Sequence, residues 1–271
     1  MQQPCNLTMR LRALCAEVGF DLDDVRPSLI DRLRLLDEYS ATVDDAERMV
    51  TNARAIFRYY SEHRPAEAFS ESEQRIVSLG CLLSDVGKSG PAGASAEDQR
   101  LIVEMFAVED VPDNAMPVRR FIRTYFPDDA EARITRFCSL GLDPAMSIRE
   151  FWNLHSGWTL SITNASGVPS EVVAAAASHH LLDGVNPESI VREDGRFSRD
   201  FGDNKRFDRA EKLVILLDKY DAVRRRGQRT HDDAIAWLRA RLDGQPHVDA
   251  EAEELLTVVD EVLGVGPTSS S

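Results

Sequence analysis

Apolar residues recur at three- and four-residue steps along nearly the whole chain, and runs that alternate apolar with polar are scarce. A period near 3.6 gives a helix one buried stripe, whereas a half-buried strand needs a period of two, so the pattern predicts an all-α fold. In "SLIDRLRLLDEYS", Leu29, Leu33, Leu36 and Tyr39 share a face. In "DDAERMVTNARAIFRYY", Ala46, Met49, Val50, Ala53, Ile56 and Phe57 do the same. "SEQRIVSLGCLLSDVGK" reads as a third helix through Ile76, Leu79, Leu82 and Leu83, with Gly87 as its stop signal. Shorter helices are expected through "RLIVEMFAV", "MPVRRFIRTYF" and "DAEARITRFCSLG". Longer ones follow at "IREFWNLHSGWTLSIT", "PSEVVAAAASHHLL", "DRAEKLVILLDKYDAV", "THDDAIAWLRARL" and "AEAEELLTVVDEVL". Only "DGRFSRDFGDNKRF", at 194–207, reads as a hairpin or a long loop.

With 271 residues, the chain suffices for one large domain or two small ones. Its formal net charge of −14 argues against a nucleic-acid partner, because affinity for phosphate backbones rests on clustered Lys and Arg. The same charge suits a metal cation. "MQQPCNLTMRLRALCAEVGF" lacks the unbroken apolar stretch of a signal peptide, and no segment approaches the length of a membrane span. A cytoplasmic protein with no membrane partner is the expectation. Cys5, Cys15, Cys81 and Cys138 are scattered without a C-x-x-C spacing, and read as free thiols.

Three of the six histidines, His155, His179 and His180, fall within 26 residues, each in an expected helix or at its end. The two adjacent ones close the apolar run Val172–Ala177, which is apolar on every side and so reads as buried. Asp218 follows the apolar Leu213–Leu217, and Asp85 follows "LGCLL". A carboxylate in such surroundings must be paired, hydrogen-bonded or bound to a metal. Taken singly, each residue has a plain structural reading: a satisfied core histidine, a turn cap at Asp85, an ion pair from Asp218 to one of Arg224–Arg226. His63 reads as a loop residue, and His231 and His247 as surface residues. The plain readings leave the set itself unexplained, since metal sites are built from several convergent ligands.

The order "SDVGK", "LHSG", "SHHLLDG", "LLDKYDA" resembles the HD superfamily of metal-dependent phosphohydrolases, and most of all its HD-GYP branch, the cyclic di-GMP phosphodiesterases. The resemblance spans roughly residues 41–245. It implies a helical HD bundle over 41–263 with an inserted helical stretch at about 89–141; an N-terminal helical segment over 1–40 precedes it, and the tail over 264–271, "GVGPTSSS", reads as disordered from its own residues. It also implies Asp85, His155, His179, His180 and Asp218 as metal ligands, with Asp85 and Lys88 as catalytic groups. Asp183, Arg226 and Arg229 become the substrate-binding residues. The substrate is a cyclic dinucleotide or another phosphate ester.

The sequence departs from the family at several places. Ser84 stands where the name-giving histidine belongs, "VNP" ending at Pro187 replaces Gly-Tyr-Pro, and no histidine precedes His63. Asp44 or Asp45 is the candidate oxygen ligand on that earlier helix. Three nitrogens and two carboxylates suffice for one transition ion and are thin for two. One divalent ion (iron, manganese or zinc) is therefore expected, with none as the alternative. Two functions stay open: an HD-type phosphohydrolase of weak or lost activity, and an inactive HD-GYP-like signalling module that binds a nucleotide or a partner protein. A helical scaffold with incidental histidines is the third.

Overall fold

The computed structural model describes residues 4–109, 111–180, 182, 208–225, 228–243 and 250–264. The described residues form twelve α-helices joined by short 3₁₀ turns and loops, and no strand. The all-α reading holds. The 194–207 stretch and the tail after Gly264 lie outside the described residues.

Three helices make the centre: α4 (Glu71–Leu83), α9 (Ser170–Ala177) and α10 (Arg209–Arg225). Each carries a long stretch buried on every side: Val77–Leu83, Val172–Ala177 and Ala210–Asp221. Small residues let them close up. A Cβ on Gly80 would lie 2.9 Å from Val214 Cγ2 and 3.0 Å from Ala175 Cβ, so an alanine there would push neighbouring helices apart. Around this centre pack α3 (Thr42–His63), α11 (His231–Leu242) and α12 (Ala250–Gly264). The apolar residues of α1 (Pro4–Ala16) and α2 (Pro27–Tyr39), among them Leu11, Leu33 and Leu36, join the same core.

A second, smaller core belongs to α5 (Ala96–Phe106), α6 (Val118–Tyr125) and α7 (Ala130–Ser139), which fall in the expected insertion. Phe121, Ile122 and Phe137 fill it together with Ile148 and Phe151 of α8 (Ile148–Ala165). Helix α8 continues into the main core through Leu160 and Ile162. Four helices start with reciprocal capping boxes: Ser70 with Glu73, Ser95 with Asp98, Ser147 with Glu150 and Thr230 with Asp233. Each satisfies amide donors that the first turn leaves open.

Three local expectations need correction, the first being His63, which is no loop residue but the last residue of α3. Helix α4 stops at Leu83 rather than at Gly87, and Gly87 sits in a 3₁₀ turn over Val86–Ser89. His231 is not a surface residue. It is clasped between the Tyr220 hydroxyl and the Asp260 carboxylate, each at 3.0 Å, and ties α11 to α10 and α12.

Candidate metal centre

Three chain segments meet where α8 crosses the end of α4. Asp85 comes from the turn after α4, His155 from the middle of α8, and His179 and His180 from the turn that ends α9. Gly87 is what allows the crossing. A Cβ there would sit 1.9 Å from the His155 carbonyl oxygen and 2.6 Å from the Thr159 nitrogen, so no side chain fits. The gap is closed by hydrogen bonds: the Gly87 amide donates to Thr159 Oγ1 at 3.0 Å, and the Thr159 hydroxyl donates to the Ser84 carbonyl at 2.8 Å. The backbone on both sides of Asp85 is thus bound to the helix that carries His155.

The side chains of Asp85, His155, His179 and His180 offer four ligand atoms that all lie within 4.8 Å of one another. His155 Nε2 is 2.8 Å from His180 Nε2, 3.1 Å from His179 Nε2 and 3.1 Å from Asp85 Oδ1. His179 Nε2 is 3.7 Å from the same oxygen. Ligands held about 2.0–2.1 Å from a zinc-sized ion stand roughly 3 Å apart, so these spacings are those of a coordination shell.

The far side of each ring decides which nitrogen carries the proton. The Nδ1–H of His155 donates to the Trp152 carbonyl, and that of His179 donates to the Ala176 carbonyl at 2.6 Å. Their Nε2 lone pairs are therefore bare and face each other and a carboxylate oxygen. His180 differs, because Lys219 Nζ approaches its Nδ1 at 3.0 Å. That ammonium also lies 2.8 Å from Asp218 Oδ2. For His180 Nε2 to present a lone pair, the Lys219 contact must loosen towards Asp218. This donor set of two ready imidazoles, one carboxylate and one imidazole governed by Lys219 can hold a metal ion.

Protonation states suit that role. Burial drives the His179 imidazole down to about 4, against a partial upward pull from Asp218 and Asp85. Burial also pushes the His180 imidazole well below its ordinary value, helped by the positive charge of Lys219. Burial works to raise the Asp85 carboxyl, but Lys88 and the imidazoles of His155 and His179 outweigh it and hold the group well below the usual carboxylate range. At neutral pH His179 and His180 are neutral and Asp85 is an anion, as metal ligation requires.

Asp85, His155 and His180 of the cluster line a cavity of about 350 Å³, while His179 is fully buried. Lys88 lines it and donates to Asp85 Oδ2 at 2.7 Å. Asp218 lines it as well, but its carboxylate is engaged by Lys219 and is not among the four convergent ligand atoms. Asp45 also faces the cavity, while Asp44 points away and pairs with Arg10 at 2.8 Å. Asp45 and Asp221 are already neutralised by arginine. Arg48 bonds both of them, and Arg225 Nη2 lies 3.1 Å from Asp45 Oδ2. Arg229 lines the mouth with Arg149 and Arg241, and none of the three has a carboxylate partner among the described residues. Asp183 and Arg226 lie outside the described residues. Ser84 is fully buried and turns its hydroxyl back to the Cys81 carbonyl at 3.1 Å.

Sequence reasoning missed several residues that shape the site. Lys219 left a visible signal, as a lysine beside Asp218 in an apolar run. Thr159, Arg48 and Arg225 left none, because their partners lie far away in the chain. Comparison of the chain with protein-family models, with curated proteins and with solved structures gave no match.

Proposed function

We propose that this chain is an HD-type metal-dependent phosphohydrolase acting on a cyclic dinucleotide or another phosphate ester. The observation that carries the reading is the convergence of Asp85 and three histidines beside a cavity that Asp85, His155 and His180 line, together with three arginines that have no carboxylate partner among the described residues. An ion of the iron, manganese or zinc type would be held by Asp85 Oδ1 and the Nε2 atoms of His155, His179 and His180. Bound there, it would polarise a phosphoryl oxygen and lower the pKa of a water molecule. The chain's own groups do the remaining work. Lys88, only partly exposed and fixed to Asp85, offers its remaining N–H donors to a phosphoryl oxygen entering the cavity. Arg149, Arg229 and Arg241 neutralise the ester's charge at the mouth. Trp152 and Trp237 supply flat apolar surface beside them.

A second reading, a nucleotide- or partner-binding module without turnover, is favoured by one observation. The carboxylates of Asp45 and Asp221 are committed to arginines, which leaves little with which to hold a second ion. One assay separates the two. Protein loaded with Mn²⁺, Fe²⁺ or Zn²⁺ is incubated with bis(p-nitrophenyl) phosphate and with cyclic di-GMP. The hydrolase reading expects metal-dependent release of product that disappears in His179→Ala. Metal bound without turnover would favour the module, and no metal bound would end both forms of the metal reading.

A further inference from the structure

Arg32 lies on α2, is buried, and has no carboxylate partner among the described residues. A buried charge is costly unless hydrogen bonds surround it. Here the partners are four carbonyls and one hydroxyl. Arg32 Nη1 donates to Ser89 O at 3.1 Å, to Ser89 Oγ at 2.8 Å and to Gly90 O at 3.1 Å. Nη2 donates to Pro91 O at 2.8 Å and to Ala92 O at 2.9 Å. Carbonyls of four consecutive residues cannot all face one point in a helix or strand. They do so here because the chain reverses at Gly90, whose φ of +86° lies in the left-handed region that favours glycine. Burial lowers the guanidinium pKa to about 10, which still leaves it charged at neutral pH.

The strapped segment begins one residue after Lys88 and four after Asp85. Ser89 Oγ, which accepts from Arg32, donates in turn to the Val86 carbonyl at 2.6 Å. The Lys88 amide donates to the Asp85 carbonyl at 2.9 Å, and the Gly90 amide to the Gly87 carbonyl at 2.9 Å. Thr159 holds the front of this turn and Arg32 holds its back.

We propose that Arg32 is a positioning residue of the metal centre: its planar fork fixes the Ser89–Ala92 carbonyls and thereby sets where Asp85 and Lys88 stand against the histidines. The proposal rests on reading that cluster as a metal site. It requires the fork itself, since a lysine ammonium is a compact point charge and cannot span carbonyls on both sides as two parallel N–H edges do.

The test uses the full chain with Arg32→Ala and Arg32→Lys, read in two ways. In the metal-free proteins, hydrogen exchange is followed across residues 84–92. The turn should lose protection in both variants, while the amides of α9 and α10 keep theirs. In the second measurement, Co²⁺ alone is titrated and its visible absorption recorded. Affinity should fall about tenfold or more in Arg32→Ala, the usual effect of losing a group that orients a ligand, and should recover with millimolar guanidinium ion but not with urea. If Arg32→Ala does not fold, Arg32→Lys carries both measurements. Unchanged protection over 84–92, or unchanged Co²⁺ affinity in a variant whose turn has loosened, would overturn the proposal. Failure of the wild type to take up Co²⁺ would instead count against the metal reading. The exchange measurement would then still decide whether Arg32 sets the turn.

Discussion

His155 and His179 face each other through deprotonated Nε2 atoms 3.1 Å apart, with each opposite nitrogen already committed to a backbone carbonyl. Two lone pairs so close repel each other unless a cation or a proton lies between them. The nearby Asp85 oxygen adds a third acceptor.

A bound divalent ion should therefore stabilise the fold. At a free concentration a hundred times the dissociation constant, linkage contributes about 2.7 kcal/mol, roughly a 5–10 °C rise in Tm for a chain of this size. Differential scanning fluorimetry with Zn²⁺ or Mn²⁺, reversed by a chelator, measures it. His155→Ala should abolish the shift, and a persisting shift would place the ion elsewhere.

Stoichiometry should be one ion per chain. Asp45 and Asp221 already have guanidinium partners in Arg48 and Arg225, so a second ion would have to displace partly buried ion pairs. Elemental analysis after dialysis should return close to one equivalent. Two retained equivalents would show that those arginines give way.

Stability of the metal-free protein should decline as the solution is acidified from about pH 6.5 to about pH 4. His179 is held neutral down to about 4 by burial, whereas the unfolded chain protonates at the ordinary histidine value. Below that value the unfolded state binds the extra proton, so its relative free energy drops as pH falls. Urea midpoints across this range should show the slope, and His179→Gln should reduce it, leaving the part that His180 contributes. An equal slope in the variant would assign the effect to other groups.

Gly87→Ala should strip the site of metal while sparing secondary structure. Its Cβ would collide with the backbone of His155 and Thr159, not with a side chain that could rotate away. Overpacking of this kind costs about 1–3 kcal/mol, sometimes more. Circular dichroism and Co²⁺ titration together check it. A variant that still binds with wild-type affinity would mean that the turn and α8 can separate without consequence.

Much of this centre was legible in the chain. Asp85, His155, His179 and His180 could be singled out because polar groups ending or interrupting apolar helices need a reason to be there. What could not be read is what depends on distance. Gly87 looked like a helix stop because local rules assign glycine that role, yet its place is set by the helix crossing over it. Thr159 lies one turn after His155, and sequence alone suggests only a hydroxyl bonding within its own helix. Arg32 is one of several arginines on an amphipathic helix, and its carbonyl partners are 57–60 residues away. The apolar surroundings of Asp218 call for a partner of some kind, and the lysine beside it is one that the resemblance did not suggest.

Helix α8 is rooted in two cores, the smaller through Ile148 and Phe151 and the larger through Leu160 and Ile162, with Trp158 packed against both. His155 lies on the span between these anchorages, under the edge of Phe106 from the smaller core. An ion held jointly by His155 and by Asp85, His179 and His180 would act as a rivet, pinning α8 to the main bundle at a point midway between its two anchorages.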